Sequence, residues 1–98
     1  MTGRVITFAD AYFCAAHRRA NGSYHGHTWQ VRAFCLAGMD AEYLQSRLRS
    51  ALARFDEQQL PDELWSSEAI ATAIGEEMGC LAVEVWRAPE GHGARWEA

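Results

Sequence analysis

Lysine is absent: all nine basic residues are arginine. Without a lysine, no Schiff-base aldolase, pyridoxal-phosphate enzyme or P-loop NTPase can be built. Arg- and Ala-rich usage with no Lys is what a GC-rich, bacterial genome would give. Positive charge is in short supply as well. Thirteen acidic residues against nine basic ones leave a net charge of −4, which argues against nucleic acid as a partner. Cysteine is sparse and unpaired. Cys14, Cys35 and Cys80 form no CxxC pair and no disulfide framework. Each sits in apolar company, so three buried free thiols in a cytosolic protein are expected. No apolar run approaches the ~18 residues of a membrane span. The start, "MTGRVITFADAYF", lacks the apolar stretch of a secretory leader and carries Asp10. The expected location is the cytoplasm.

What remains is a chain of 98 residues, 49% hydrophobic and with four Trp. That composition favours a folded globule, and the length fits one domain over residues 1–98. A core of this size is modest, so a metal or oligomerisation is a plausible supplement.

The pattern of the chain is mixed. "RVITFA" (4–9) and "YFCAAH" (12–17) read as strand, with Asp10 between them marking a bulge or irregularity. "RRANGSY" carries the Asn-Gly signal of a hairpin loop. "HTWQVRAFCLA" alternates and is rich in β-formers, predicting a strand over 26–37. Asp40 is a credible N-cap for a helix over 41–55, whose apolar face is Leu44, Leu48, Leu52 and Phe55. Arg47, Arg49 and Arg54 fall off that face and read as solvated surface. Ser66 or Ser67 caps a second helix over 67–78, with Ile70, Ile74 and Met78 as its stripe and Gly79 at the C-terminal stop. "CLAVEVW" predicts a third strand over 80–87, and "ARWEA" a short last one. The fold class is therefore α+β: an antiparallel four-stranded sheet with both helices on one face. The opposite face is left bare, and a protein this small usually covers such a face with another subunit.

Three of the four histidines fall within eleven residues: His17, His25 and His27. Period-two geometry puts His25 and His27 on one face of one strand. His17 ends the preceding strand, so a hairpin can bring all three imidazoles together. A catalytic zinc site typically uses three protein ligands and one open position. Gly26 removes a side chain between two of the candidates and lets the backbone bend. The alternative reading is polar residues in a tight turn, and spacing alone does not separate the two. Cys14 has the wrong parity for a fourth ligand, and Cys35 lies roughly 26 Å further along an extended strand. His92 reads as a loop residue at the margin of any such site.

"FCAAHR", "YHGHTWQV", "FDEQQL" and "SSE", in this order and with two helices following the hairpin, resemble the 6-pyruvoyl-tetrahydropterin synthase and 6-carboxytetrahydropterin synthase family. Its pattern is F-x-A-A-H, then H-G-H-x-aromatic, then a helix ending near L-D-H-x-x-L, a P-T-x-E helix start and V-x-V-x-E in the third strand. The resemblance spans nearly the whole chain. It implies zinc on His17, His25 and His27 and a small-molecule substrate; the lack of a long apolar run already argues against a membrane partner. It also implies the T-fold, in which three subunits close a twelve-stranded barrel, as a homotrimer or a homohexamer of two stacked trimers with active sites between subunits.

The sequence departs from that pattern at the positions that carry the chemistry. The family's catalytic Cys lies on the loop before H-G-H; here the aligned residue is Asn21, which cannot act as a base. The family's Asp-His pair aligns with Asp56 and Glu57. Glu57 can serve as a general base if burial raises its pKa; the plain alternative is a solvated helix end. Ser67 and Glu68 match the family's helix start and are the candidate substrate contacts, although part of that match is ordinary N-capping. The family's pterin anchor is a Glu; here Arg87 stands in its place. Arg only donates hydrogen bonds, so it suits a carboxylate or phosphate rather than a pterin edge. The expected function is a divergent zinc-dependent lyase, cyclase or isomerase acting on a small polar, anionic, non-pterin substrate. Arg87 would hold the substrate, and Glu57 and Asp56 would move protons from a neighbouring subunit. The alternatives are a non-catalytic zinc-stabilised subunit, or a true synthase with an unusual base.

Overall fold

The computed structural model describes residues 3–98. Strand β1 (Ile6–Arg18) and strand β2 (Tyr24–Leu36) form a long antiparallel hairpin. Helix α1 (Ala41–Leu52), a 3-10 turn (Asp62–Leu64) and helix α2 (Ser67–Met78) follow. Strands β3 (Ala82–Arg87) and β4 (His92–Glu97) complete the sheet in the order β1-β2-β3-β4. This is the α+β sheet expected from the sequence, and both helices pack on one face of it.

The local chemistry accounts for the elements. Alternation puts Ala9, Phe13, Ala15 and His17 of β1 and Trp29, Val31 and Ala33 of β2 on the helix side, all buried. The Asp40 side chain accepts from the N–H groups of Glu42 and Tyr43 at 2.7 and 3.4 Å, starting α1. Ser66, not Ser67, caps α2 by accepting from Ala69 N–H at 3.1 Å. Gly79 ends α2 in the left-handed conformation, φ 63°, which only glycine adopts without strain. Leu44 and Leu48 of α1 and Ile70 and Ile74 of α2 are fully buried against Phe13, Val31, Val83 and Val85. Each such side chain contributes about 1.5–3 kcal/mol of burial.

Three expectations are corrected. Asp10 marks no irregularity: the β1–β2 ladder runs unbroken from Ile6↔Leu36 to Arg18↔Tyr24. Asp10 stands opposite Arg32 and binds its guanidinium through two contacts of 2.6 and 2.9 Å, so a cross-strand pair holds the polar residue in the strand. Cys14 is exposed, because its parity points it to the open face beside Thr28; only Cys35 and Cys80 are buried. Among the arginines read as solvated, Arg47 donates to the Met78 carbonyl at 3.1 Å and so closes the end of α2.

α2 lies close enough to the last strand that Gly75 meets the Trp96 ring directly. A Cβ there would overlap the indole. Gly75→Ala is therefore expected to lower stability by about 1–3 kcal/mol through overpacking, despite the better helix propensity of Ala. Denaturant unfolding measures this; an unchanged or higher midpoint would show that the contact is looser than the structure places it.

β3 pairs with only the second half of β2, from Gln30 to Phe34. The tip of the β1–β2 hairpin therefore projects past the sheet, and the histidines sit on that projecting part. The sheet face away from the helices is open. Phe8, Tyr12 and Leu36 on it are 50%, 65% and 53% exposed. No helix among the described residues is long and apolar enough to cross a membrane.

Candidate metal centre

The loop between β1 and β2 is tight for a local reason. The Asn21 side chain accepts from Ser23 N–H at 3.0 Å and from the Ser23 hydroxyl at 2.7 Å, and Gly22 takes φ 87°. This Asx-type turn returns the chain in register, so His17 faces His25 directly across the ladder. Asn21 is thus engaged in building the turn.

The three imidazoles converge. Their ring centroids lie 4.3–4.9 Å apart, and one ligand atom from each falls within 4.8 Å of the others. His17 is buried; His25 and His27 are half-buried. The hydrogen bonds fix which nitrogens are available. His17 Nδ1 lies 2.6 Å from the Trp65 carbonyl, which only accepts, so Nδ1 carries the proton and Nε2 keeps its lone pair. His27 Nε2 lies 2.7 Å from Arg87 Nη1, which only donates, so it too keeps its lone pair. Its Nδ1–H is then directed at Glu90 Oε1, 3.2 Å away. His17 Nε2 accepts in turn from His25 Nε2–H at 2.8 Å.

This donor set fits a zinc ion. Three imidazoles converge on one point, where a metal would replace the hydrogen bonds from Arg87 and His25 that now occupy the His27 and His17 lone pairs. Two of them have their second nitrogen tied to a carbonyl and a carboxylate, as metal-bound histidines do. Burial, with help from the nearby Arg87 and the other imidazoles, holds His27 below its ordinary pKa; burial and the Arg19 cation do the same for His25. Both therefore stay neutral to lower pH than a free histidine.

The sign of the resulting pH dependence follows. The unfolded chain takes up protons at these two residues below about pH 6.5, while the folded chain declines them. The metal-free protein is therefore expected to lose thermal stability as pH falls from ~7.5 to ~5.5, and His27→Gln is expected to flatten that slope. Calorimetric Tm against pH tests this; a metal-free Tm that rises on acidification would contradict it.

The other candidate residues divide into two groups. Arg87, Ser67 and Glu68 lie with the histidines: together with His17 and Trp29 they line a cavity of about 220 Å3. Arg87 also reaches His92 Nε2 at 3.1 Å. His92 is thus the first residue of β4 and part of the site, not loop. Asp56 and Glu57 lie elsewhere in the chain. They follow α1 and seal the outer edge of β1: Asp56 Oδ1 accepts from Cys14 N–H at 2.9 Å, and Glu57 N–H donates to the Cys14 carbonyl at 2.6 Å. Glu57 faces a second cleft, of about 550 Å3, with Cys14, Gly26, His27 and Thr28. Neither carboxylate bonds to an imidazole among the described residues.

Two contributors were missed at the level of sequence. Trp65 acts through its backbone carbonyl, which no motif records. Glu90 lies in the β3–β4 turn, and only the fold brings it to His27.

No family model and no curated protein matches the sequence. Among solved structures, the 6-pyruvoyl tetrahydropterin synthase of Caenorhabditis elegans is similar, with a TM-score of 0.69 over 99% of both chains and 19% identity. The chain has the fold of that synthase. The synthase fold arises here from a sequence fewer than one residue in five of which agrees. The four-stranded sheet with two helices on one face, read from periodicity, is thus matched end to end by a solved protein.

Proposed function

We propose that the chain is a divergent zinc-dependent, lyase-like enzyme of the 6-pyruvoyl-tetrahydropterin synthase family. In this reading it is cytoplasmic, assembles as a homotrimer or homohexamer, and acts on a small polar, anionic substrate other than a pterin. The observation that carries the reading is the convergence of His17, His25 and His27, with the outer nitrogens of His17 and His27 already engaged. A zinc ion held there supplies Lewis-acid polarisation of a carbonyl or hydroxyl oxygen. The chain's own residues do the rest. Arg87 holds the substrate's anionic group beside the imidazoles, and Ser67 and Glu68 meet its other end. Glu57 is the proton-transfer group, offered to the site of a neighbouring subunit, with Asp56 as the second carboxylate. The backbone of Glu57 supports this role. Its φ of 58° is left-handed, a conformation that disfavours a Glu, and such outliers concentrate at functional sites. The open sheet face with Phe8 and Tyr12 supports the oligomer.

A second reading is favoured by one observation: Asn21 is spent on the turn, and no thiol stands on that loop. In that reading the protein is a zinc-stabilised, non-catalytic subunit. Glu57→Gln separates the two. The zinc-loaded protein is followed by NMR against small carboxylated and phosphorylated polyols. Loss of about a hundredfold or more in turnover is expected for the variant if Glu57 is the base. Unchanged turnover would remove Glu57 from the mechanism, and no turnover by the parent protein on any substrate would favour the non-catalytic subunit. Turnover of dihydroneopterin triphosphate by the parent would instead make it a true synthase with an unusual base.

A further inference from the structure

Two buried donors beside the histidines have no acceptor. Trp29 is 1% exposed, and its Nε1–H has no partner. The Nε–H of Arg87 is also buried and also unpartnered. An unsatisfied buried donor costs about 1–3 kcal/mol, and more when charged, and native proteins keep few of them. Both residues line the same cavity of about 220 Å3.

The charge balance of that cavity is incomplete as well. Among the described residues the arginine ion pairs involve Arg18, Arg32, Arg54 and Arg95. Arg87 has none; its two terminal nitrogens meet only His27 Nε2 and His92 Nε2. A half-buried guanidinium without a counterion calls for an anion. The first turn of α2 lines the cavity too, through Ser66 and Ser67. A helix start offers free N–H groups and a partial positive charge, and favours the same ligand. Glu68 lies on the same lining. It repels a second anionic group and accepts from a donor. The volume is below the roughly 300–1,000 Å3 of sites for drug-sized ligands.

We propose that Arg87, Trp29 Nε1–H and the start of α2 form a carboxylate seat, and that the ligand class is a small hydroxycarboxylic acid whose hydroxyl is directed to Glu68. The seat gives the indole and the guanidinium Nε–H the acceptor they lack. It rests on the proposed role of Arg87 as the holder of an anionic group and specifies what that group is. A carboxylate supplies two acceptor oxygens, one for the indole N–H and one for the guanidinium Nε–H.

The test titrates lactate, lactamide and propionate into the purified protein, both zinc-loaded and chelator-treated, by NMR. Lactate is expected to bind about tenfold or more tightly than lactamide, the difference a charged hydrogen bond makes. Propionate is expected to fall several-fold below lactate, since it lacks the donor for Glu68. Arg87→Gln should bring lactate down to the lactamide level, and Arg87→Lys should restore part of the loss. Trp29→Phe keeps the ring and removes the donor; it should weaken lactate more than lactamide, because the bond to a charged acceptor is the stronger one. Equal binding of lactate and lactamide, or no effect of Arg87→Gln on lactate, would overturn the seat. The chelator-treated arm keeps the two proposals apart. Lactate binding by protein that takes up no zinc even when zinc is supplied leaves the seat standing while the zinc-enzyme reading falls. Stoichiometric zinc with no preference for lactate does the reverse.

Discussion

Replacing His17 by Ala is expected to abolish stoichiometric zinc: content falls from about one ion per chain to background, measured by elemental analysis after purification without chelators. His17 is chosen because it is the most constrained of the three. It is buried, its Nδ1–H is fixed on the Trp65 carbonyl, and its Nε2 faces His25. An imidazole oriented in this way loses little freedom on binding a metal, and removing such orientation alone typically costs 10–100-fold in affinity. Loss of the ligand itself costs more. The variant also leaves the Trp65 carbonyl without its donor, about 1–3 kcal/mol if no water replaces it, so circular dichroism must show a folded chain before the metal content is interpreted. His92→Ala is the control. His92 touches Arg87 and no imidazole, so its removal should leave zinc content unchanged. Full zinc content in folded His17→Ala would rule out the three-histidine centre.

Phe13→Ala should destabilise the protein by about 3–5 kcal/mol, the usual range for emptying a buried aromatic site. Phe13 has no exposed surface. Its ring stacks on Trp29 at 5.3 Å and 12°, and it tilts against Phe55 at 5.5 Å. Small domains are stable by only about 5–15 kcal/mol, so the change removes a large part of the total. The corresponding fall in Tm is on the order of 12 °C or more. The effect should also reach the metal centre, because His17 and His27 each rest edge-on against Trp29 at 5.4 Å. Loosening Trp29 loosens both rings, so zinc affinity should fall even where the variant folds. A loss below about 1 kcal/mol would mean that the site collapses around the cavity more fully than this packing suggests. Phe8→Ala is the informative comparison. Phe8 is half exposed, on the open face. Its removal should cost little in a lone chain, and much more, with a dependence on protein concentration, if a second copy covers that face.

Much of the fold was legible because each element obeys one period. Leu44, Leu48 and Leu52 repeat at helical spacing, and Val83 and Val85 at strand spacing, so their elements follow from which residues must be buried together; Leu81, read as part of that strand, lies just before it and is only partly buried. Asp40 and Gly79 mark helix ends through chemistry that acts within a few residues, and local chemistry is visible in sequence. Asp10 misled for the opposite reason. A polar residue in an apolar run looks like an interruption until Arg32, 22 positions away, is known to stand opposite it. Cys14 misled similarly: apolar neighbours in sequence do not reveal which face of a strand is covered.

By itself, the sequence determined that three histidines cluster. His17, His25 and His27 lie on two strands joined by a tight turn, and strand parity with hairpin register forces them together. It also determined, through the missing lysine, several chemistries that the chain cannot perform. Only the tertiary structure decided what surrounds the histidines. The Trp65 carbonyl, Glu90 and Arg87 come from the segment before α2, the β3–β4 turn and the end of β3. The packing of distant elements, which no local period encodes, brings them within hydrogen-bond distance of the imidazoles. The same packing buries Trp29 with an N–H that has no acceptor, and puts Asp56 and Glu57 on the outer edge of β1. The histidine cluster is a property of one hairpin; its setting is a property of the whole fold.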